Sequence, residues 1–339
     1  MSPAKRITYL DWLRGLAAIA VVLLHELNMV LTEHAVAELG VPLVLSWTWL
    51  QIVLTRWAVP VFLMVSGALL LDPGRDVTWE KPLRAIVRMM AVLAVFCPVY
   101  ACVSARAVTP GAIVDGLVGA LTHNSWDHLW YVYALMGLYL LTPMLASYVR
   151  TASEGLQRAT LLALAVPTLL VATVNRATGS GIATVGWVSS SVFYYLLGSY
   201  AHRHLTLDGI TRALGLAALA AALALAAWCV LVRSWYPGWL IRPECPLVAL
   251  WSLLVFLAAK AACGSRAVPA PLAWASEHSL ALYLVHPILL VVLYRRLMWM
   301  PYETLPPVAF EVAVLVIVLG TSGALATLAR RLPLLGAIL

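Results

Sequence analysis

Residues 10–26 read Leu10-Asp11-Trp12-Leu13-Arg14-Gly15-Leu16-Ala17-Ala18-Ile19-Ala20-Val21-Val22-Leu23-Leu24-His25-Glu26. The run is apolar over a length that suits lipid, yet it carries Asp11, Arg14, His25 and Glu26. Ionisable residues inside a spanning helix are costly and rare, so each is a functional candidate. At about 100° per residue, Arg14 and His25 fall within about 20° of each other on one helix face, about 16 Å apart along the axis. Asp11, Arg14, Ala18, Val21 and His25 form a stripe there, because steps of three and four stay on one side. A fixed cation at one depth and a titratable base at another suit an enzyme that takes a charged donor from one side of a membrane and reacts it deeper in. The plainer alternatives are an interfacial Asp11–Arg14 pair with Arg14 reaching headgroups, and a hydrogen-bonded core histidine.

Outside this stretch the chain is just as apolar. Its 339 residues are 63% hydrophobic and 11% charged, with mean hydropathy +0.92. Soluble domains carry about 25% charged residues, so the solvent of this chain is mostly lipid. The expected fold is an all-α integral membrane protein, a polytopic bundle of about ten transmembrane helices. They are expected at 8–31, 46–71 (broken near Pro60), 83–104, 128–148, 156–174, 187–203, 211–232, 246–262, 273–297 and 305–329. A β-barrel is excluded because the segments are apolar all round rather than alternating. A single membrane domain over 1–339 is expected, with no fused extracytoplasmic domain. The first segment is too long and too charged for a signal peptide.

The net charge of +7 reads as topology and needs no nucleic acid. With the N-terminus inside, the inner helix ends and loops hold roughly twice as many Lys and Arg as the outer ones, the bias that orients membrane proteins. Both termini are therefore expected in the cytoplasm. The five cysteines are scattered and lack metal-ligand spacing, so no metal is expected. The outer segments 33–45, 105–127 and 233–245 read as loops. The last holds Trp235, Tyr236, Pro237 and Trp239, which suit an interfacial anchor or a sugar-stacking surface.

Three further clusters carry polar groups. In Arg56-Trp57-Ala58-Val59-Pro60-Val61-Phe62-Leu63-Met64-Val65-Ser66-Gly67, Pro60 breaks the helix and Ser66-Gly67 permits close backbone approach. In His123-Asn124-Ser125-Trp126-Asp127-His128-Leu129-Trp130, Ser125 or Asp127 suits a helix cap, while His128 and Trp130 are candidates to face a polar cavity. In Ser279-Leu280-Ala281-Leu282-Tyr283-Leu284-Val285-His286-Pro287, Ser279, Tyr283 and His286 share one face, and a kink is expected at Pro287. The structural alternatives are small-residue helix packing for the first, an interfacial aromatic belt for the second and interhelical hydrogen bonding for the third.

Taken in order, these motifs resemble the acyltransferase 3 family of integral membrane acyltransferases. They are the Leu-Asp-x-Leu-Arg-Gly opening, the Arg14–His25 spacing, Val59–Gly67, His128–Leu135 with Thr142-Pro143, Phe193–Gly198 and Ser279–Pro287. The chain is most similar to the stand-alone O-acetyltransferase branch that acts on enterobacterial common antigen. Leu63-Met64 departs from the family, which often has a second aromatic there.

The resemblance implies a bacterial cytoplasmic-membrane enzyme with acetyl-CoA as donor. It implies a hydroxyl of an envelope glycan or lipid-linked sugar as acceptor. By position it carries over an essential histidine to His25 and an essential arginine to Arg14. On this reading Arg14, Arg84 and Arg88 hold the CoA phosphates, since guanidinium forks suit phosphate. Asp11, Glu26, Ser66, His128, Trp130, Tyr283 and His286 line the substrate cavity. Two other classes remain: a transporter of a small polar or acylated solute, with Arg and His as gate or proton relay, and a non-catalytic scaffold.

Overall fold

The computed structural model describes residues 7–33, 36–76, 78–122, 126–180, 189–296 and 307–339. The expected cluster at His123–Ser125 lies outside them. The protein is all-helical; among the described residues there is no strand. Apart from the single turn Val36–Leu39, the helices are α1 (Thr8–Glu33), α2 (Val41–Leu70), α3 (Glu80–Ala105), α4 (Pro110–Thr122), α5 (Trp130–Thr151), α6 (Glu154–Thr178) and α7 (Ser190–His204). They continue as α8 (Gly209–Arg233), α9 (Pro246–Cys263), α10 (Ala270–Glu277), α11 (Ser279–Val291), α12 (Pro307–Ala329) and α13 (Pro333–Ile338).

Each of the ten expected spans contains a helix. Among the described residues seven helices are long and apolar enough to cross a membrane, or eight if α10 and α11 form one bent span, so a count of ten is not established. Helix α4 lies where a loop was expected. Its 13 residues are too few for a span of about 20. It starts at Pro110, which suits a first turn, with the Thr109 hydroxyl accepting from Ala112 N at 3.2 Å. The kink expected at Pro287 also falls elsewhere. Pro287 lies inside α11, and the 82° bend is at His278, between α10 and α11. There the His278 ring and its backbone N both bond the Trp274 carbonyl, which caps the C-terminal end of α10.

Helix α1 packs against α2, α9, α10, α11 and α12, so its polar stripe lies inside the bundle. The tightest crossing is between α2 and α7. A Cβ on Gly67 would overlap the Tyr195 carbonyl oxygen, and one on Gly198 the Met64 carbonyl oxygen. Only glycine lets two backbones approach this closely. The C-terminal end of α7 is capped by Lys260 of α9, whose Nζ donates to the carbonyls of Ala201, His202 and Leu205 at 3.1, 2.7 and 2.7 Å. A cation there also opposes the helix dipole. At the start of α8, Asp208 accepts from Thr211 N at 2.6 Å, which holds its carboxyl below the usual carboxylate range.

Candidate functional site

Near the start of α1, Arg14 acts electrostatically on Tyr131 and Tyr139 of α5. Arg88 of α3 acts on the same Tyr139 hydroxyl, so two guanidinium groups from separate helices face one region. Arg88 Nε also donates to the Ile338 carbonyl at 2.9 Å, tying α13 to α3. Arg84 stands apart from this pair. Its partner is Glu80 at 2.5 Å, and the two side chains are 77% and 66% exposed.

Three turns along α1, His25 meets two more imidazoles. Ring centroids are 5.1 Å apart for His25–His286, 6.0 Å for His25–His128 and 6.4 Å for His128–His286. The rings come from α1, from α11, and from the 3₁₀ turn Asp127–Leu129 that leads into α5. His128 and His286 are buried; His25 is half-buried and keeps the most accessible surface of the three. Among the described residues no three His, Cys, Asp or Glu are grouped as metal ligands.

Hydrogen bonds assign the outer two tautomers. The Leu282 carbonyl only accepts, so His286 Nδ1, 2.7 Å away, carries the proton. In the neutral ring Nε2 is then a lone pair, and that atom is buried with no hydrogen-bond partner. Tyr100 spends its one proton on the Leu284 carbonyl at 2.6 Å, so His128 Nε2, 2.9 Å from the Tyr100 oxygen, is the donor. Tyr283 donates to the His128 carbonyl and fixes the turn. The expected common face of Tyr283 and His286 is thus used, with both side chains directed at the histidine group.

Aromatic rings join the two ends. Tyr283 lies 5.2 Å from His128 and 5.8 Å from Tyr131, and Tyr131 lies 6.4 Å from Phe62. Tyr131 is also a ring on which Arg14 acts electrostatically. A wall of Tyr131 and Tyr283 therefore runs from the Arg14–Arg88 region to His25.

The other expected cavity residues are placed as follows. Glu26 is fully buried beside His25, and Asp11 is half-buried near the start of α1. Ser66 donates to the Phe62 carbonyl at 2.9 Å. Trp130 is 40% exposed and meets the edge of Tyr131, apart from the histidines. Sequence reasoning did not single out Tyr100, Tyr131 and Tyr139. The available signal was Tyr131 three residues after His128, a spacing that keeps one face. An apolar groove of about 790 Å³ lined by Ala94, Pro98, Cys102, Ala107 and Leu117 contains none of the groups above.

A family model described as an acyltransferase domain, that of acyltransferase 3, matches residues 7–327. The chain belongs to the acyltransferase 3 family. No curated protein and no solved structure matches it. The family and the apolar helices together make it a membrane acyltransferase, and the match spans every residue of the histidine group and the Arg14–Arg88 region.

Proposed function

We propose that this acyltransferase moves an acetyl group from cytoplasmic acetyl-CoA to a hydroxyl of a cell-envelope glycan or lipid-linked sugar precursor, in the manner of the branch that acetylates enterobacterial common antigen. The supporting observation is the geometry of α1, which has Arg14 toward one end, His25 inside a three-histidine group toward the other, and tyrosines between. Arg14 and Arg88 bind the CoA phosphates, where guanidinium forms paired charge-assisted hydrogen bonds. The narrow pantetheine arm runs along Tyr131 and Tyr283 and delivers the thioester to His25. Neutral His25 takes the proton of the acceptor hydroxyl as its oxygen attacks the thioester carbonyl. The C–S bond then breaks, and the CoA thiolate leaves and takes up a proton. A positioned base of this kind contributes about 10²–10⁴-fold.

The test is acetyl-CoA binding to the purified protein in nanodiscs. Wild type should bind saturably, and Arg14→Ala and Arg88→Ala should each weaken binding by about 10-fold or more. Arg84→Ala should change it by less than about 2-fold, since its exposed pair with Glu80 has little effect. No binding by folded wild type removes the donor assignment and makes transport the leading reading.

A further inference from the structure

Pro60 has no N–H, and its ring excludes the carbonyl four residues back, that of Arg56. Helix α2 accordingly leaves α geometry just upstream. Gln51–Thr55 forms a π turn, and Arg56 N donates to the Gln51 carbonyl at 3.0 Å. Such turns concentrate at functional positions. From the break Arg56 reaches α1, where one terminal nitrogen donates to Asn28 Oδ1 at 2.7 Å, and its Nε donates to Gln51 Oε1 at 3.1 Å. Tyr236, from the 234–245 loop, donates to the same Gln51 oxygen at 3.0 Å. These acceptors are neutral amides. Among the described residues, the groups that act electrostatically on Arg56 include Tyr236 and a second cation, Arg242. Glu244, on the same loop, acts instead on Tyr194 and Cys245.

Arg56 also acts on His25, and Asn28 is about 4.5 Å further along α1 than His25. Arg14 is about 21 Å from Asn28 along the same axis. The molecule thus has two cationic regions on opposite sides of the histidine group. A partly buried guanidinium hydrogen-bonded to the neutral amides of Gln51 and Asn28, in the field of a second arginine, is stabilised when an anion joins it. Arg242 is exposed, as is Trp235 on the same loop at 48%, which leaves a cation and an aromatic face of this loop available to a sugar ring.

We infer that Arg56 and Arg242, with Gln51, Asn28 and Tyr236, form the acceptor subsite and that it selects an acidic sugar, one bearing a carboxylate or phosphoryl group near the hydroxyl that is acylated. The inference rests on the acyltransferase reading. The anion docks on the two guanidinium groups, and the neighbouring hydroxyl is thereby presented to His25 from the side opposite the donor.

The experiment uses the full chain in phosphatidylcholine nanodiscs, titrated with glucuronate, glucose 1-phosphate and neutral glucose, with acetyl-CoA measured in parallel. At least one acidic sugar should bind saturably, with glucose at least about 10-fold weaker; whichever acid binds identifies carboxylate or phosphate. Arg56→Gln and Arg242→Gln should each weaken it by about 10-fold and leave acetyl-CoA binding unchanged. Arg242 is exposed, so its variant reports even if Arg56→Gln fails to fold. Equal binding of glucose, no binding of either acid by folded wild type, or wild-type affinity in the folded variants overturns the inference. Loss of acetyl-CoA binding in wild type overturns the acyltransferase reading separately.

Discussion

Replacing His286 by leucine tests the histidine group directly. The ring is fully buried, and leucine fills a similar volume without polar atoms, so the fold should be kept. The Leu282 carbonyl that loses the His286 proton lies within α11 and retains its helical acceptor role. What disappears is the Nε2 lone pair beside His25. With centroids 5.1 Å apart and each ring nitrogen about 1.1 Å from its centroid, nitrogens turned to face each other would lie about 2.9 Å apart, hydrogen-bonding distance. No such bond forms in the resting structure, where Nε2 is unpartnered; catalytic hydrogen bonds often tighten only with substrate. On taking the acceptor proton His25 becomes a cation, and a hydrogen bond from a charged donor contributes about 1.5–3 kcal/mol. At about 1.4 kcal/mol per tenfold, His286→Leu should lower kcat by about 10- to 150-fold. KM for acetyl-CoA should stay within about twofold, because Arg14 and Arg88 are untouched. The readout is transfer of radiolabelled acetyl from acetyl-CoA to the glycan fraction of membranes at saturating donor. His286→Gln, whose amide oxygen replaces Nε2 as acceptor, should recover part of the rate. A leucine variant with kcat within about twofold of wild type, or a glutamine variant no better than leucine, would refute this role.

Two further outcomes probe the scaffold. Gly198→Ala should cost about 2 kcal/mol or more, because the added methyl overlaps the Met64 carbonyl and overpacking at a tight contact forces backbone shifts. Thermal unfolding in detergent followed by tryptophan fluorescence would show it, with Gly137→Ala, which meets nothing within 4 Å, unchanged. Lys260→Met keeps the apolar stem and removes three hydrogen bonds to the end of α7. A loss of about 2 kcal/mol is expected in the same assay, and an unaltered melting curve would show that the cap is dispensable.

Much of this protein is decided by local chemistry. Lipid demands long apolar helices with internally satisfied backbones, so composition and segment length alone identified an all-helical membrane protein. Helical rotation likewise placed Arg14 with His25, and Tyr283 with His286, because positions on one helix differ only by a fixed angle. The Gly67 close approach was legible for the same reason. A small residue in a spanning helix has few uses other than letting another backbone come near.

Other features arise only when helices pack. His25, His128 and His286 are far apart in the chain, and nothing in their local sequence brings three rings to within 5.1–6.4 Å. Arg84 and Arg88 are one turn apart and look equivalent, yet one pairs with Glu80 at the surface and the other shares Tyr139 with Arg14. The bend at His278 rather than Pro287, and the neutral partners of Arg56, are equally invisible to periodicity. The sequence by itself determined the fold class, the family and the polar face of α1, because these follow from the solvent and from the geometry of a single helix. Tertiary structure decided which polar faces meet, because convergence is set by how neighbouring helices cross, and the closest of those crossings is made where Gly67 and Gly198 let α2 and α7 touch.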